Sequence, residues 1–175
     1  TNMTLIDLGA GNCAKATRLF PFLQPKQYVP VDISIEFLRD AVNKLHQRFP
    51  FIEMIGLGMD FSSRLDLPPI VRREKRLFFW PGSSISNLTP DSSLKFLEHL
   101  YTLCVQDGCT DGGVLISADL VKEKDVLEEA YNDELGVTAS FNLNLLQCLN
   151  RDFGMNFKLK EWRHQAFFNI GESRI

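Results

Sequence analysis

Short apolar runs alternate along the chain with longer stretches in which apolar residues recur at helical spacing. The runs at 4–8, 27–32, 51–57, 76–80, 113–118 and 162–169 have the length and composition of buried strands. Leu38, Ala41, Val42, Leu45 and Phe49 repeat every three or four residues and predict a helix over 34–48, with Ser34 as its N-cap. Thr89-Pro90, a capping residue followed by proline at the first helical position, announces a further helix whose apolar face would use Leu94, Leu97, Leu100 and Cys104. Strands alternating with helices describe βαβ units, hence an α/β fold with a mostly parallel sheet and helices on both faces. Ligands in such sheets bind beyond the carboxyl ends of the strands. One stretch departs from the alternation. Two helical segments, 124–134 and 138–152, follow each other with Gly136 between them, and their polar positions (Tyr131, Asn132, Asn142, Asn144, Asn150) are rich in amides. This region reads either as an ordinary cap on the sheet or as a helical insertion around 124–152 that covers the active site.

The chain has 175 residues, 45% of them hydrophobic and 23% charged, which suits one soluble globular domain over 1–175. A net charge of -3 with no long basic run excludes a phosphate backbone as the natural partner. Cys13, Cys104, Cys109 and Cys148 form no CxxC pair and have no histidine at zinc-ligand spacing, so they read as reduced thiols and no metal site is expected. No signal peptide or membrane-spanning run stands out, which makes the cytoplasm the default compartment. Thr4-Leu5-Ile6-Asp7-Leu8 enters a buried strand at once, and Glu172-Ser173-Arg174-Ile175 reads like the start of another. Both ends are therefore expected to be cut from a longer domain.

The chemistry concentrates where strands end. Asp7-Leu8-Gly9-Ala10-Gly11 follows the first strand and leads into a helix, and its glycines permit torsions and close approach that a Cβ would block. Read through Ala14, the same turn could pass for a dinucleotide fingerprint. Asp7 weighs against that reading, because a carboxylate there would repel a pyrophosphate. S-adenosyl-L-methionine, which carries a sulfonium and an ammonium group, has the opposite requirement. Later acids support it: Asp32 ends the second strand, where a carboxylate can accept both ribose hydroxyls. Asp60 ends the third, where it could take the adenine amino group while Phe61 packs on the ring. The alternation of strands and helices and these acids predict a Rossmann-like class I methyltransferase.

Beyond these positions the chain resembles the histidine-specific Nα-methyltransferases of the ergothioneine pathway, in the wider family that includes fungal dimethylallyltryptophan N-methyltransferases. The resemblance is carried by Tyr28-Val29-Pro30-Val31-Asp32-Ile33-Ser34 and by Pro81-Gly82-Ser83-Ser84-Ile85-Ser86-Asn87-Leu88-Thr89-Pro90. Its longest block runs from Tyr131-Asn132-Asp133 through Gly136-Val137-Thr138-Ala139 and Phe141-Asn142-Leu143-Asn144-Leu145-Leu146 to Leu149-Asn150-Arg151. It implies that Gly9, Lys15, Asp32, Asp60 and Phe61 hold the cofactor; Asp7 and Gly11 of the first turn, with Gly82 and Ser83 after the fourth strand, complete the expected cofactor site. It further implies that Asn87 holds the substrate's α-amino group and Tyr131 its carboxylate, with L-histidine trimethylated to hercynine as the reaction. The chain also departs from the family. Ala10 and Cys13 stand in a first motif that usually reads Leu-Gly-Ser-Gly-Thr-Ser, and Ser86 stands where glycine is usual. The residues with which the family reads the imidazole lie beyond Ile175.

The implied reaction is an in-line attack of the neutral amine on the sulfonium methyl, accelerated mainly by alignment. No residue stands out as a general base. Two other readings remain: a nicotinamide-dependent oxidoreductase, and an interaction module that keeps the cofactor pocket without catalysis. His46 and His99 read as surface or boundary positions, His164 could face the core, and Trp80 suits the pocket and the core equally. Arg72-Arg73-Glu74-Lys75-Arg76 reads as a solvated loop.

Overall fold

A computed structural model describes residues 2–62 and 65–175. Where the sequence reads one domain with an insertion from 124, the backbone groups into two compact units, 1–119 and 120–175.

The first unit is an α/β layer structure. Its sheet contains β1 (Thr4–Leu8), β2 (Gln27–Asp32), β3 (Glu53–Met54), β4 (Leu57–Gly58), β5 (Arg76–Trp80) and β6 (Gly113–Ile116). The order is β3-β2-β1-β5-β6, β4 also pairs with β2, and each pairing is parallel. Alternate residues point to opposite faces. Ile6, Leu8, Val29, Val31, Phe78 and Trp80 form one core with Phe96, Leu100 and Cys104 of α4 (Pro90–Val105). Leu5 and Tyr28 face the other way, into Ala16 of α1 (Ala14–Thr17), Phe20 of α2 (Phe20–Leu23) and Leu38 of α3 (Ile35–Arg48). Each fully buried large apolar side chain contributes about 2 kcal/mol. A one-residue slip of β1 would exchange its two faces, so the register is strongly fixed.

The expected strand over 51–57 is broken in two. Tyr28 O accepts from Ile55 N at 3.0 Å, so residue 30 is the next β2 position that faces this edge. Pro30 has no N–H to give, and pairing resumes only at Val31 and Asp32. The expected 113–118 strand stops at Ile116, and Ser117 instead serves the turn after β5. Thr89 caps α4 as expected, its hydroxyl accepting from Ser92 N at 3.3 Å. Leu94, however, is exposed, and Phe96 takes the buried position one helical turn before Leu100. Ser34 makes no side-chain cap for α3.

Arg76 corrects the solvated-loop reading of 72–76. It is buried at the start of β5, and its guanidinium donates to Arg72 O at 2.8 Å, Leu103 O at 3.1 Å and Val71 O at 3.3 Å. Gln27, also buried, at the start of β2, accepts from Arg72 N at 2.9 Å and donates to Ile70 O at 3.1 Å. These two side chains hold the connection into β5 against the sheet.

The second unit contains α5 (Lys124–Glu129) and α6 (Val137–Phe153). Asp133 caps α6, its two carboxylate oxygens accepting from Val137 N at 2.7 Å and Thr138 N at 2.8 Å. Those bonds hold its carboxyl below the usual range. The expected strand at 162–169 is absent, as is the one read into Glu172–Ile175, where a single antiparallel bridge joins Asn169 and Arg174. Side chains take the place of a neighbouring strand. Asn132 donates to Ala166 O at 2.6 Å and accepts from Ala166 N at 2.9 Å. Asn150 does the same with Phe157, at 2.8 and 2.7 Å. Glu128 accepts from Phe168 N at 2.9 Å.

Replacing Arg76 with Met would leave three carbonyls without their donor. Arg76→Met is expected to cost about 3 kcal/mol of stability in urea unfolding of the full-length protein, whereas Arg72→Met, at an exposed ion pair, should cost well under about 1 kcal/mol.

Candidate cofactor-binding site

The turn after β1 is tied to the end of β2. Gly9 N and Ala10 N both donate to Val31 O at 3.0 Å, and Gly11 N donates to Asp32 Oδ2 at 2.9 Å. The other oxygen of Asp32 accepts from Ser34 N at 2.9 Å, so one carboxylate spans the turns after two adjacent strands. Met59 N donates to Asp32 O at 3.1 Å and brings the end of β4 alongside. There Asp60 accepts from Ser62 N at 3.0 Å and Ser62 Oγ at 2.6 Å. The ring of Phe61 lies 3.9 Å from where a Cβ on Gly9 would sit. Gly9, Gly11, Asp32, Asp60 and Phe61 are thus gathered by backbone pairing.

The turn after β5 joins them from the other side. Gly82 N donates to Ser117 Oγ at 2.8 Å, Ser83 N to Ser117 O at 3.1 Å, and Ser83 Oγ accepts from Asp119 N at 2.9 Å. Gly82 has φ +79°, and a Cβ there would meet Lys15 Nζ at 2.8 Å. The torsion favours glycine there, and the Lys15 amine, at the end of a flexible side chain, lies over it. Asn87 ends the 3-10 turn Ser84–Asn87 and is exposed.

Asp7 is placed differently from a surface ligand. It is 1% exposed, and its Oδ2 accepts a 2.7 Å hydrogen bond from the Tyr28 hydroxyl. Oδ1 is equally buried and has no hydrogen-bond partner among the described residues. Burial pushes its pKa up to about 6, against the downward pull of the Tyr28 bond and of Lys15. A buried carboxylate with an open acceptor fits a group that brings positive charge and N–H donors. It does not suit a pyrophosphate.

Tyr131 belongs to the second unit, where its ring is half exposed. Its carbonyl faces His164 Nε2 at 2.7 Å, and His164 Nδ1 lies 3.2 Å from Asn142 Nδ2. With the amide as donor, this network calls for the neutral Nε2–H tautomer. His164 is half-buried and structural, while His46 and His99 are exposed. Trp80 is a core residue, its ring edge-on to Phe96 at 4.9 Å and to Phe61 at 6.1 Å, and so supports Phe61 from behind. Tyr28 was not anticipated. The available signal was a tyrosine in a fully buried strand, whose hydroxyl must find a polar partner on its own face.

Among the described residues no cluster of His, Cys, Asp or Glu is arranged to hold a metal, and no helix is long and apolar enough to cross a membrane. Residues 1–175 match the family described as histidine-specific methyltransferase, SAM-dependent. The chain belongs to this family. It is similar to the histidine N-alpha-methyltransferases of Mycolicibacterium smegmatis and Mycobacterium tuberculosis, at 35% and 33% identity over 98% of its length. It spans about half of these relatives, 53% of each. The fold of this SAM-dependent methyltransferase family member is shared with a solved S-adenosylmethionine-dependent methyltransferase from Clostridium acetobutylicum. The TM-score is 0.53 at 19% identity, covering 73% of this chain and 47% of that one.

A carboxyl held above its unfolded value makes ionised Asp7 a destabilising group, absent at low pH and fully felt above about pH 6. Asp7→Asn is therefore expected to stabilise the ligand-free protein by about 2 kcal/mol at pH 7.5, with much less gain at pH 4.5. Urea unfolding at the two pH values measures this, and an equal gain at both would contradict the burial cost.

Proposed function

We propose that the protein transfers methyl groups from S-adenosyl-L-methionine to the α-amino group of L-histidine, yielding the trimethylated product, hercynine. The observation that carries this reading is the carboxylate series at adjacent strand ends, with buried Asp7 keeping an open acceptor. Membership of the family described as histidine-specific and SAM-dependent supports the substrate, as do the names of the two mycobacterial relatives. The partner is a small amino acid rather than a nucleic acid or a membrane, and the compartment is the cytoplasm.

When bound, S-adenosylmethionine supplies a methyl carbon on a sulfonium, which leaves without help from an acid. Asp32 accepts from the ribose hydroxyls with the lone pairs that Gly11 and Ser34 do not use. Asp60 takes the adenine amino group, and Phe61, backed by Trp80, covers the ring. Lys15, Gly82 and Ser83 shape the opposite wall. Asn87 accepts from the substrate amine through its side-chain carbonyl and so aims the lone pair. The Tyr131 hydroxyl donates to the substrate carboxylate. The rate then comes mainly from alignment: once the amine has released its proton to solvent, it needs only to be held in line with the methyl group. The mono- and dimethylated products each release a further proton before the next transfer.

The test uses the full-length protein with labelled S-adenosylmethionine and a panel of free amino acids. Histidine is expected to be methylated, and no transfer to any amino acid would refute the reading. Asn87→Ala should lower kcat by about a hundredfold while S-adenosylhomocysteine affinity stays within about twofold by calorimetry. Parallel loss of both would refute the role given to Asn87.

A further inference from the structure

Tyr28 is fully buried, and its ring is wedged edge-on against Phe20, with centroids 5.0 Å apart. Phe20 is itself braced by Phe49 at 5.0 Å. The packed ring brings its hydroxyl to Asp7 Oδ2, at 2.7 Å, with the Cys13 thiol as a second hydrogen-bonding neighbour. The register sets this meeting: Tyr28 stands opposite Leu5 in the parallel pair, and Asp7 lies two residues further along the same face of β1. The groups bearing on the Asp7 carboxyl are Lys15 of α1, Cys13 just before it, Asp32 at the end of β2 and Tyr28 itself. From β5 comes only Phe79, which is uncharged. Among the described residues, nothing donates to Oδ1.

We propose that Tyr28 is a positioning residue for the cofactor: its hydroxyl locks the Asp7 carboxylate in one orientation, so that the buried Oδ1 remains the unpaired acceptor for the cofactor's ammonium end. The donor reaches Oδ1 directly or through a water that the ammonium orders. This inference rests on the S-adenosylmethionine reading above. A carboxyl with two free oxygens could rotate, and without the hydroxyl it would also lose a donor that favours its charged form. Tyr28 thus widens towards acid the pH range over which the site presents a negative charge. The carboxyl's own value of about 6 puts the edge of that range within easy measurement.

The experiment measures binding of S-adenosylhomocysteine and of 5′-methylthioadenosine to the full-length protein by calorimetry between about pH 5.5 and 8. The first ligand carries the ammonium group and the second lacks the amino-acid end. Wild-type affinity for S-adenosylhomocysteine should be flat at neutral pH and fall below about pH 6, approaching tenfold per unit. In Tyr28→Phe the fall should begin about one pH unit higher, leaving affinity about twofold weaker at about pH 7 and approaching tenfold weaker near about pH 5.5. Methylthioadenosine binding should change little with pH in either protein. Asp7→Asn, which cannot titrate, should flatten the S-adenosylhomocysteine profile. An unmoved onset in Tyr28→Phe, or equal loss for both ligands at every pH, would overturn the role of Tyr28 while leaving the cofactor reading intact. Wild-type protein that binds neither ligand would overturn the cofactor reading and this inference with it.

Discussion

The end of β2 receives the backbone of the turn after β1, and the rest of the site depends on that junction. Val31 O takes the amides of Gly9 and Ala10, and the Asp32 carboxylate takes the amide of Gly11. Three successive donors, which a sharp turn would otherwise leave to solvent, are satisfied by two residues of a neighbouring strand. The turn is therefore no free loop but an extension of the sheet. Asp32 is fixed by the same bonds that shape the turn, with its second oxygen held by Ser34 N.

From that junction the other parts follow by adjacency. β1 lies between β2 and β5 in the sheet, so the turns after β1, β2 and β5 open on one edge. Lys15, in the helix after the first turn, reaches the glycine of the last. Behind the turn the two faces do different work. The face carrying Val29, Val31, Phe78 and Trp80 is apolar and closes on α4, where Trp80 and Phe96 back Phe61. The opposite face carries Tyr28 and Asp7, a polar pair that costs burial energy. A carboxylate with an unpaired oxygen is a poor choice for stability, and retaining it there is intelligible if a cationic ligand completes it.

The sequence made legible whatever depends on period and punctuation. β1, β2 and β5 follow their apolar runs, α3 follows its helical repeat, and Thr89-Pro90 marks the start of α4. What stayed hidden depends on partners distant in sequence. The run at 51–57 looks continuous, but Pro30 in another strand interrupts its ladder. The run at 162–169 has the composition of a strand, yet Asn132 and Glu128 satisfy its backbone in place of one. Arg76 looks like part of a charged surface run because its burial depends on Leu103 of α4, whose carbonyl meets the guanidinium alongside those of the nearby Val71 and Arg72. Asp7 was legible as an acid in the right turn. Its burial and its bond to Tyr28 depend on the register between two strands, which no local pattern records.

The most direct measurement is a crystal structure of the full-length protein with S-adenosylhomocysteine bound. The account predicts the ribose hydroxyls on Asp32, the adenine against Phe61 with its amino group near Asp60, and the ammonium group over Asp7, joined to Oδ1 directly or by one water. A nucleoside bound elsewhere, or bound at this edge with Asp32 unengaged and no donor at Asp7 Oδ1, would contradict it.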